Sequence, residues 1–397
     1  PTHLLNGVGD FVTESLRWSD LRFVVVNGMI TVYNFINDMV GYCWDSEEDR
    51  MKDVDVWVDG RFNSLQFPLP KKGFLSVDGI EWYCNHFEIY DLLEKRSDGY
   101  FEIDTRFLDD YEKCEDAASV GVHLVLKSTP DGFNVISMSY EDSDKITKQS
   151  IRAFYAGINC YTSVATHAYH THFKAGVVVT RVSRALLPLD HPIRRIVVPT
   201  EIGVLDVVAR GIATILKKGG VFEKIYVFTY NGLENLIKDS ELKYPQLVFD
   251  PLENLRLTAS EKTHPPFNNL VTWYTYMVKH ARNVVDTLYI NERELSNDDD
   301  VRLWYEKIAG DDINRNRLSK LIAFLFFTQV RHNLLSNEVF TYFNYMVPPY
   351  VTKNTKGSVH TLRKQTGLIN TALGTSLKWL MMTTNLSALL DDAEYRY

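Results

Sequence analysis

The sequence lacks the features that mark several large classes of protein. Its four cysteines (Cys43, Cys84, Cys114 and Cys160) lie far apart with no C-x-x-C pair, which argues against a disulfide framework and a thiolate zinc site. We expect them to be small core residues. No apolar run approaches the roughly 20 residues that a transmembrane helix needs. The sequence therefore predicts a soluble protein without a transmembrane segment, with the cytoplasm favoured as its compartment.

An excess of positive charge is missing as well. The chain has 43 Lys and Arg against 51 Asp and Glu, a net charge of −8, so its overall charge does not attract nucleic acid. The signatures H-E-x-x-H, G-x-S-x-G, G-x-x-x-x-G-K-[ST] and G-x-G-x-x-G are absent. The commonest hydrolase and nucleotide-binding sites thus have no support, and no nucleic-acid partner is expected.

The first part of the chain has β-type patterning. Hydrophobic residues make up 45% of the 397 residues, which is enough to form a core. Between about residues 20 and 145, β-branched and aromatic runs alternate with Gly, Pro and Asp, as in RFVVVNGMITVYNFI, VDVWVDG, GFLSVDGIEWY and GVHLVLKSTPDGFNVISMSY. The last of these, with PDG between two apolar runs, predicts a β-hairpin.

The remainder of the chain has helical spacing. Apolar residues recur at intervals of three and four residues over 151–174, 203–218, 268–288, 299–308 and 315–343. Asp299 or Asp300 is placed to cap the fourth of these helices, and Asn314 to cap the fifth. We therefore predict a mainly α protein with a mixed, β-containing N-terminal third.

The change of pattern suggests a division into two regions. Residues 1–145 form a mixed α/β region, and residues 146–397 form a helical region. They are either two domains or one helical domain over which the N-terminal third wraps. Because no Pro-, Gly- or Ser-rich linker separates them, continuous packing is favoured.

Three histidines fall within six residues, in the run HAYHTH of a long apolar helix. In a regular α-helix, His167 and His170 lie about 60° apart around the axis, and His167 and His172 about 140° apart. The first pair suits a metal on a regular α-helix. The second suits a metal only if the helix contains a π-bulge, whose i→i+5 turn brings residues five apart onto one face.

A second core-type helix carries a fourth histidine. The run SKLIAFLFFTQVRHNLLSNEVFTYF is apolar until Gln329, Arg331, His332, Ser336 and Asn337, so these polar residues should be buried and need partners. A lone core histidine is usually structural. Clustering of this kind makes a metal site an equal alternative, and three imidazoles with one amide or hydroxyl oxygen suit iron, manganese or zinc.

The order of these landmarks resembles the catalytic domain of lipoxygenases. AFYAGINCYTSVATHAYHTH resembles the family's helix bearing H-x4-H, and HPIRRIVVP its following HPI-plus-basic segment. ARGIATILKKGGVFEKIY is similar to the stretch with the family's arched helix, and FTQVRHNLLSNEVFTYFNYMVPP to its second metal-binding helix. The agreement is collinear over about residues 115 to 350.

The resemblance implies a lipoxygenase-like helical domain with two central metal-binding helices and a non-haem iron, with manganese possible. Its protein ligands would be His167, His172, His332 and Asn337. The position four residues after the third histidine is Ser336 here, so Ser336 or water is the alternative to Asn337.

Two departures from the family pattern imply a divergent or reduced member. The family's last ligand is the carboxylate of a C-terminal Ile, whereas this sequence ends at Tyr397, so that ligand is supplied differently or missing. The first 110 residues do not match the family's β-sandwich. His170 would lie behind the ligands or be structural. His191 with Arg194 or Arg195 would orient a substrate carboxylate, unless the two arginines are a solvated pair.

The implied activity is that of a dioxygenase in lipid metabolism. Hydrogen abstraction from an unsaturated apolar substrate would be followed by O2 insertion. Two alternatives stay open: a redox-inactive helical protein that binds an apolar ligand, and a lyase or hydrolase that uses a metal on His167 and His170 to act on a biosynthetic intermediate. The sequence leaves the oligomeric state undetermined.

Overall fold

The computed structural model describes residues 72–201, 203–243, 251–310, 312–337 and 351–353. Over these residues the protein is mainly α-helical with one small antiparallel sheet, as the periodicity predicts. The runs RFVVVNGMITVYNFI and VDVWVDG lie outside the described residues. No helix in the described part of the chain is both long enough and apolar enough to span a bilayer.

The first described element corrects one sequence interpretation. GFLSVDGIEWY, expected to be a strand, contains the start of helix α1 (Val77–His86). Ser76 caps this helix, because its hydroxyl accepts a hydrogen bond from the Gly79 amide at 3.1 Å. Ile80 and Tyr83 are buried on one face. A cap and a buried helical face thus outweigh the local β propensity.

The sheet is a four-stranded meander in the order β1-β2-β3-β4, and all its neighbouring strands are antiparallel. The hairpin predicted at PDG is confirmed: Thr129 pairs with Gly132 across the two-residue loop of Pro130 and Asp131. The strands are β1 (Leu93–Lys95), β2 (Phe101–Asp104), β3 (Val122–Thr129) and β4 (Gly132–Tyr140).

Helix α1 covers the outer edge of this sheet. The Phe133 amide of β4 donates to Asn85 Oδ1 at 2.8 Å, and the Val135 amide donates to Glu81 Oε1 at 2.9 Å. Side chains of α1 therefore satisfy amides that an edge strand would otherwise expose. This docking fixes the position of the turn that follows α1.

Helices make up the rest of the described chain. Asn314 caps the last long helix as predicted, since its side chain accepts from the Arg317 amide at 2.9 Å. The cap of the preceding helix is Asp298, not Asp299 or Asp300, because Asp298 Oδ1 accepts from the Val301 amide at 3.1 Å.

The helical elements of the described chain after the sheet are α2 (Lys148–Tyr161), π1 (Thr162–Val178), α3 (Val179–Leu186), α4 (Pro192–Val197), α5 (Val204–Gly211), π2 (Ile212–Leu216), α6 (Val221–Ile225), α7 (Tyr230–Lys243), α8 (Pro251–Leu255), α9 (Pro265–Leu288), α10 (Glu292–Ser296), α11 (Asp299–Ala309) and α12 (Arg315–Asn337). Short 3₁₀ turns lie at Arg106–Asp110, Val198–Thr200 and Glu261–Thr263.

Two long helical elements form the centre of the protein. The helices α2, π1 and α3 run on without a break, because Thr162 and Val179 at the two junctions keep right-handed helical dihedrals. A reciprocal capping box between Thr147 and Ser150 starts this rod. Helix α12 packs against π1, and its Leu321 is fully buried. No residue of π1 and none over 318–332 of α12 is exposed, as expected for core helices.

The cysteine prediction is confirmed for two of the four residues. Cys84 and Cys160 are buried and free, whereas Cys114 is free and half-buried, and Cys43 lies outside the described residues. The division into regions 1–145 and 146–397 stays a prediction.

Two helical glycines should respond in opposite ways to alanine substitution. At Gly157 of α2 a new Cβ would lie 2.5 Å from the Val120 carbonyl oxygen, whereas at Gly211 of α5 nothing lies within 4 Å. We expect Gly157→Ala to lower the free energy of unfolding by about 1–3 kcal/mol. Gly211→Ala should raise it by up to about 1 kcal/mol, since alanine favours helix. Urea denaturation followed by circular dichroism measures both, and a stabilising Gly157→Ala would contradict the packing described.

Candidate metal centre

The backbone of π1 places two histidines on one face. Its i→i+5 turn brings residues five apart together, and the Thr171 hydroxyl accordingly donates to the Thr166 carbonyl, five residues earlier, at 2.9 Å. In the same register, the Nε2 atoms of His167 and His172 lie 3.0 Å apart. Of the two pairings open from sequence, the structure therefore brings together His167 and His172, and not His167 and His170.

Helix α12 adds a third imidazole to this pair. His332 Nε2 lies 3.0 Å from His172 Nε2, and the ring centroids of His332 and His167 are 5.0 Å apart. The three potential ligand atoms lie within 4.8 Å of one another. Among the described residues, this is the only such group of three His, Cys, Asp or Glu side chains.

Hydrogen bonding between neutral rings does not explain these short contacts. The Nε2 atom of a neutral imidazole carries either one proton or one in-plane lone pair, so it forms one linear hydrogen bond. His172 Nε2 faces both His167 Nε2 and His332 Nε2 at 3.0 Å, and both contacts cannot be linear hydrogen bonds. Three lone pairs converging on a cation satisfy all three atoms.

The surroundings keep all three rings neutral. Burial, followed by the neighbouring His172 and His332, lowers the pKa of His167 well below its ordinary value. Burial and then His332 lower the pKa of His172 to about 3, and burial lowers the pKa of His332. Because a metal binds the neutral ring, these imidazoles are ready to act as ligands near neutral pH.

The spacing of the nitrogen atoms fits a metal with open positions. Ligand nitrogens about 2.1 Å from an ion and at right angles to each other are about 3.0 Å apart. That is the separation between the Nε2 atoms of the two neighbouring pairs, His167 with His172 and His172 with His332. An octahedral ion held by these three nitrogens would keep its remaining positions for other ligands. His172 and His332 are partly exposed, whereas His167 is buried.

The side chains of the predicted oxygen ligands lie outside the described part of the structure. The backbone of α12 continues to Asn337. The side chains of residues 333–337, including Ser336 and Asn337, lie outside the described part of the structure, and so does Tyr397. Asn337 therefore stays a prediction, with Ser336 or water as its alternatives.

His170 lies apart from the three-histidine group. It is buried, and its ring is 6.2 Å from the Phe324 ring between centroids. Burial is the main cause that lowers its pKa to about 4, with the Asp91 charge opposing and the Arg331 charge adding to the effect. His170 thus lies near the charges of Asp91 and Arg331, which belong to a cluster next to the three-histidine group.

The sequence predicted only one member of that charged cluster, Arg331. Arg331 was expected to be buried and in need of partners, and it is: its Nη2 donates to Glu88 at 3.0 and 3.1 Å and lies 2.8 Å from Asp91 Oδ1. The other oxygen of Asp91 accepts a hydrogen bond from the Thr166 hydroxyl at 3.0 Å. No local pattern marks Glu88 or Asp91, because their partners are distant in sequence. We call the group of Glu88, Asp91, Thr166 and Arg331 the carboxylate clamp.

The two carboxylates of the clamp titrate differently. Burial would raise the pKa of Asp91, but the Arg331 charge, His170 and two side-chain hydrogen bonds together lower it below its ordinary value. For Glu88 burial dominates over Arg331, and the pKa is raised. The pKa of Arg331 stays above its ordinary value, since both carboxylates outweigh the cost of its burial. Asp91 is thus the firmly ionised carboxylate of the clamp.

The HPI segment has a structural role in the described residues. His191 caps α4: its Nδ1 accepts from the Ile193 amide at 3.1 Å, while Nε2 lies 3.1 Å from Asp298 Oδ2. Arg194 is buried with its Nη1 3.3 Å from Glu201 Oε2. Of the two alternatives for the arginines, the solvated pair is therefore wrong for Arg194, because its guanidinium is buried beside the Glu201 carboxylate.

Comparisons with known proteins bear on the fold. The sequence matches no protein-family model and no curated protein. Solved structures do match: the LOX variant delta413-417:GS in complex with arachidonate has a TM-score of 0.65 at 12% identity, over 90% of this chain and 65% of that one. The lipoxygenase of the fungus Fusarium graminearum gives a TM-score of 0.59 at 11% identity, over 78% and 64% of the two chains.

A third similar structure is the manganese lipoxygenase of Gaeumannomyces graminis, with a TM-score of 0.55 at 12% identity, over 69% of this chain and 56% of that one. This chain therefore spans about two thirds or less of the lengths of these proteins. Identities this low show a lipoxygenase-like fold and nothing finer.

The depressed histidine pKa values predict how stability depends on pH. Below about pH 6.5 the histidines of the unfolded chain take up protons while His167 and His172 stay neutral in the fold. The free energy of unfolding of the metal-free protein should therefore fall as the pH falls from 6.5 towards 3, by up to about 1.4 kcal/mol per pH unit for each ring. Urea unfolding at several pH values tests this, with His172→Gln as the comparison. An equal slope in that variant would show that His172 is not held neutral.

Proposed function

We propose that this protein is a lipoxygenase-like non-haem iron oxygenase that acts on an unsaturated apolar substrate. The single observation that carries the proposal is the convergence of His167, His172 and His332 from two core helices of a lipoxygenase-like fold. Their Nε2 atoms hold the metal, with an oxygen ligand from Asn337 or Ser336 or from water.

Iron is the metal we propose, with manganese as the alternative. Neutral imidazole nitrogens are borderline ligands that suit both ions, and the group contains no thiolate that would favour copper(I). A redox-active metal of this kind supplies hydrogen abstraction and the one-electron changes of an oxygenation with O2.

The protein's own part in the reaction is to bind and orient. The histidines keep their rings neutral, and burial of His167 keeps water from the inner side of the site. Because His172 and His332 are less buried than His167, substrate and O2 would approach from the side of these two residues. No side-chain acid or base is required. Arachidonate, the ligand of one similar structure, represents the proposed class of substrate.

The alternative with His167 and His170 as the metal pair is not favoured, since His170 faces Asp91 and Phe324 and not the other imidazoles. The other alternative is a redox-inactive protein that binds an apolar ligand on the same scaffold. Measurements of oxygen uptake distinguish it from an oxygenase.

The first test is the metal content of purified variants. The wild-type chain should contain about one iron or manganese ion, and His332→Ala should lose most of it, because one of three nitrogen ligands is removed. His123→Ala is the matched control, since His123 lies on β3 and contacts Glu102 at 2.9 Å, away from the group. Unchanged metal content in His332→Ala, measured by inductively coupled plasma mass spectrometry, would contradict the proposal.

The second test is oxygen uptake. With arachidonate or other polyunsaturated substrates, and terpenoids as a second class, the iron-loaded protein should consume O2, and His172→Ala should reduce the rate at least a hundredfold. Tight binding of these compounds without O2 uptake under iron or manganese loading would instead establish the redox-inactive alternative.

A further inference from the structure

We propose that Asp91 is a positioning residue for the metal, because its carboxylate ties together the two helices that carry the three histidines. This inference rests on the proposed metal site and goes beyond it, since Asp91 itself is not a ligand. The carboxylate clamp of Glu88, Asp91, Thr166 and Arg331 is the feature of the structure from which it follows.

The contacts of Asp91 fall next to the ligands on both helices. Its Oδ2 accepts from Thr166 of π1, the residue directly before His167. Its Oδ1 lies 2.8 Å from the guanidinium of Arg331 of α12, the residue directly before His332. One carboxylate group therefore links the side chains of the two residues that precede His167 and His332, and so restrains the separation of the two helices beside the proposed ligands.

The turn that carries Asp91 is itself held firmly. Its neighbours Ile89 and Leu92 are buried, and the Leu92 amide donates to the Ile89 carbonyl at 3.0 Å. The Tyr90 hydroxyl donates to the Pro266 carbonyl of α9 at 2.9 Å. Strand β1 begins at Leu93, so the sheet fixes the far end of the turn. A rigid support is what a residue that sets ligand positions requires.

Glu88 restrains the arginine of the clamp. Arg331 Nη2 donates to both Glu88 oxygens, and Arg331 and Glu88 are 7% and 4% exposed. Desolvating such charges costs so much that buried ion pairs often add nothing to stability, compared with apolar residues of similar volume. Because Arg331 directly precedes His332, we infer that the Arg331–Glu88 pair serves to fix the position of that part of α12.

The consequence is a metal affinity that depends on a residue outside the ligand set. Groups that orient ligands from behind typically change metal affinity by 10–100-fold when they are replaced. We expect Asp91→Asn to weaken binding within this range, because the amide keeps the volume but loses the charge that holds Arg331. Thr166→Val, which removes one hydrogen bond and keeps the volume, should weaken binding by about tenfold or less.

The experiment uses the full-length chain with Co²⁺ as the probe. The visible absorption of bound Co²⁺ reports its coordination geometry, and titration gives its affinity without any catalytic assay. Asp298→Asn is the matched control: Asp298 has 21% side-chain exposure against 18% for Asp91, and it contacts Tyr289 and His191 instead of the histidine group. Thermal unfolding of each variant checks the fold.

Weaker binding and an altered Co²⁺ spectrum in Asp91→Asn, with Asp298→Asn like wild type, would support the inference. Wild-type affinity and spectrum in Asp91→Asn, or an equal loss in Asp298→Asn, would overturn it. If Asp91→Asn does not fold, Thr166→Val decides on the same criteria. Failure of the wild-type chain to bind Co²⁺ would instead reject the metal site, and the inference with it.

Discussion

The i→i+5 turn of the π-helix is the constraint on which the site depends. It brings His172 onto the face of His167, where a regular α-helix would leave them about 140° apart. Once the two rings share a face, a single residue of a neighbouring core helix, His332, completes the group. Because burial keeps all three rings neutral, each ring has one nitrogen with a lone pair that can bind a metal ion.

The elements outside the two central helices support this arrangement from behind. Helix α1 is docked on the edge of the sheet, and the turn between α1 and β1 presents Glu88 and Asp91 to Arg331 and Thr166. The small sheet thereby contacts the three-histidine group indirectly, through a buried charge cluster. The charges of Asp91 and Arg331 in the same cluster also act on His170, which lies apart from the three-histidine group.

Local patterns in the sequence predicted the parts of the structure that local interactions decide. The PDG hairpin, the long core helices and the cap at Asn314 follow from turn chemistry and periodicity, and the spacing of His167 and His172 allowed a π-helix without requiring it. The strand expected in GFLSVDGIEWY is a helix, since a serine cap and tertiary packing outweigh β propensity. Asp91 was not predicted, because its partners Thr166 and Arg331 are 75 and 240 residues away and no local signal connects them.

The central claim is that the three imidazoles share one ion. Anomalous X-ray diffraction at the iron edge, from crystals of the iron-loaded full-length chain, tests this claim most directly. A single anomalous peak among the Nε2 atoms of His167, His172 and His332 is the predicted result. Rings bonded to carbonyl oxygens or water, with no peak between them, would contradict it.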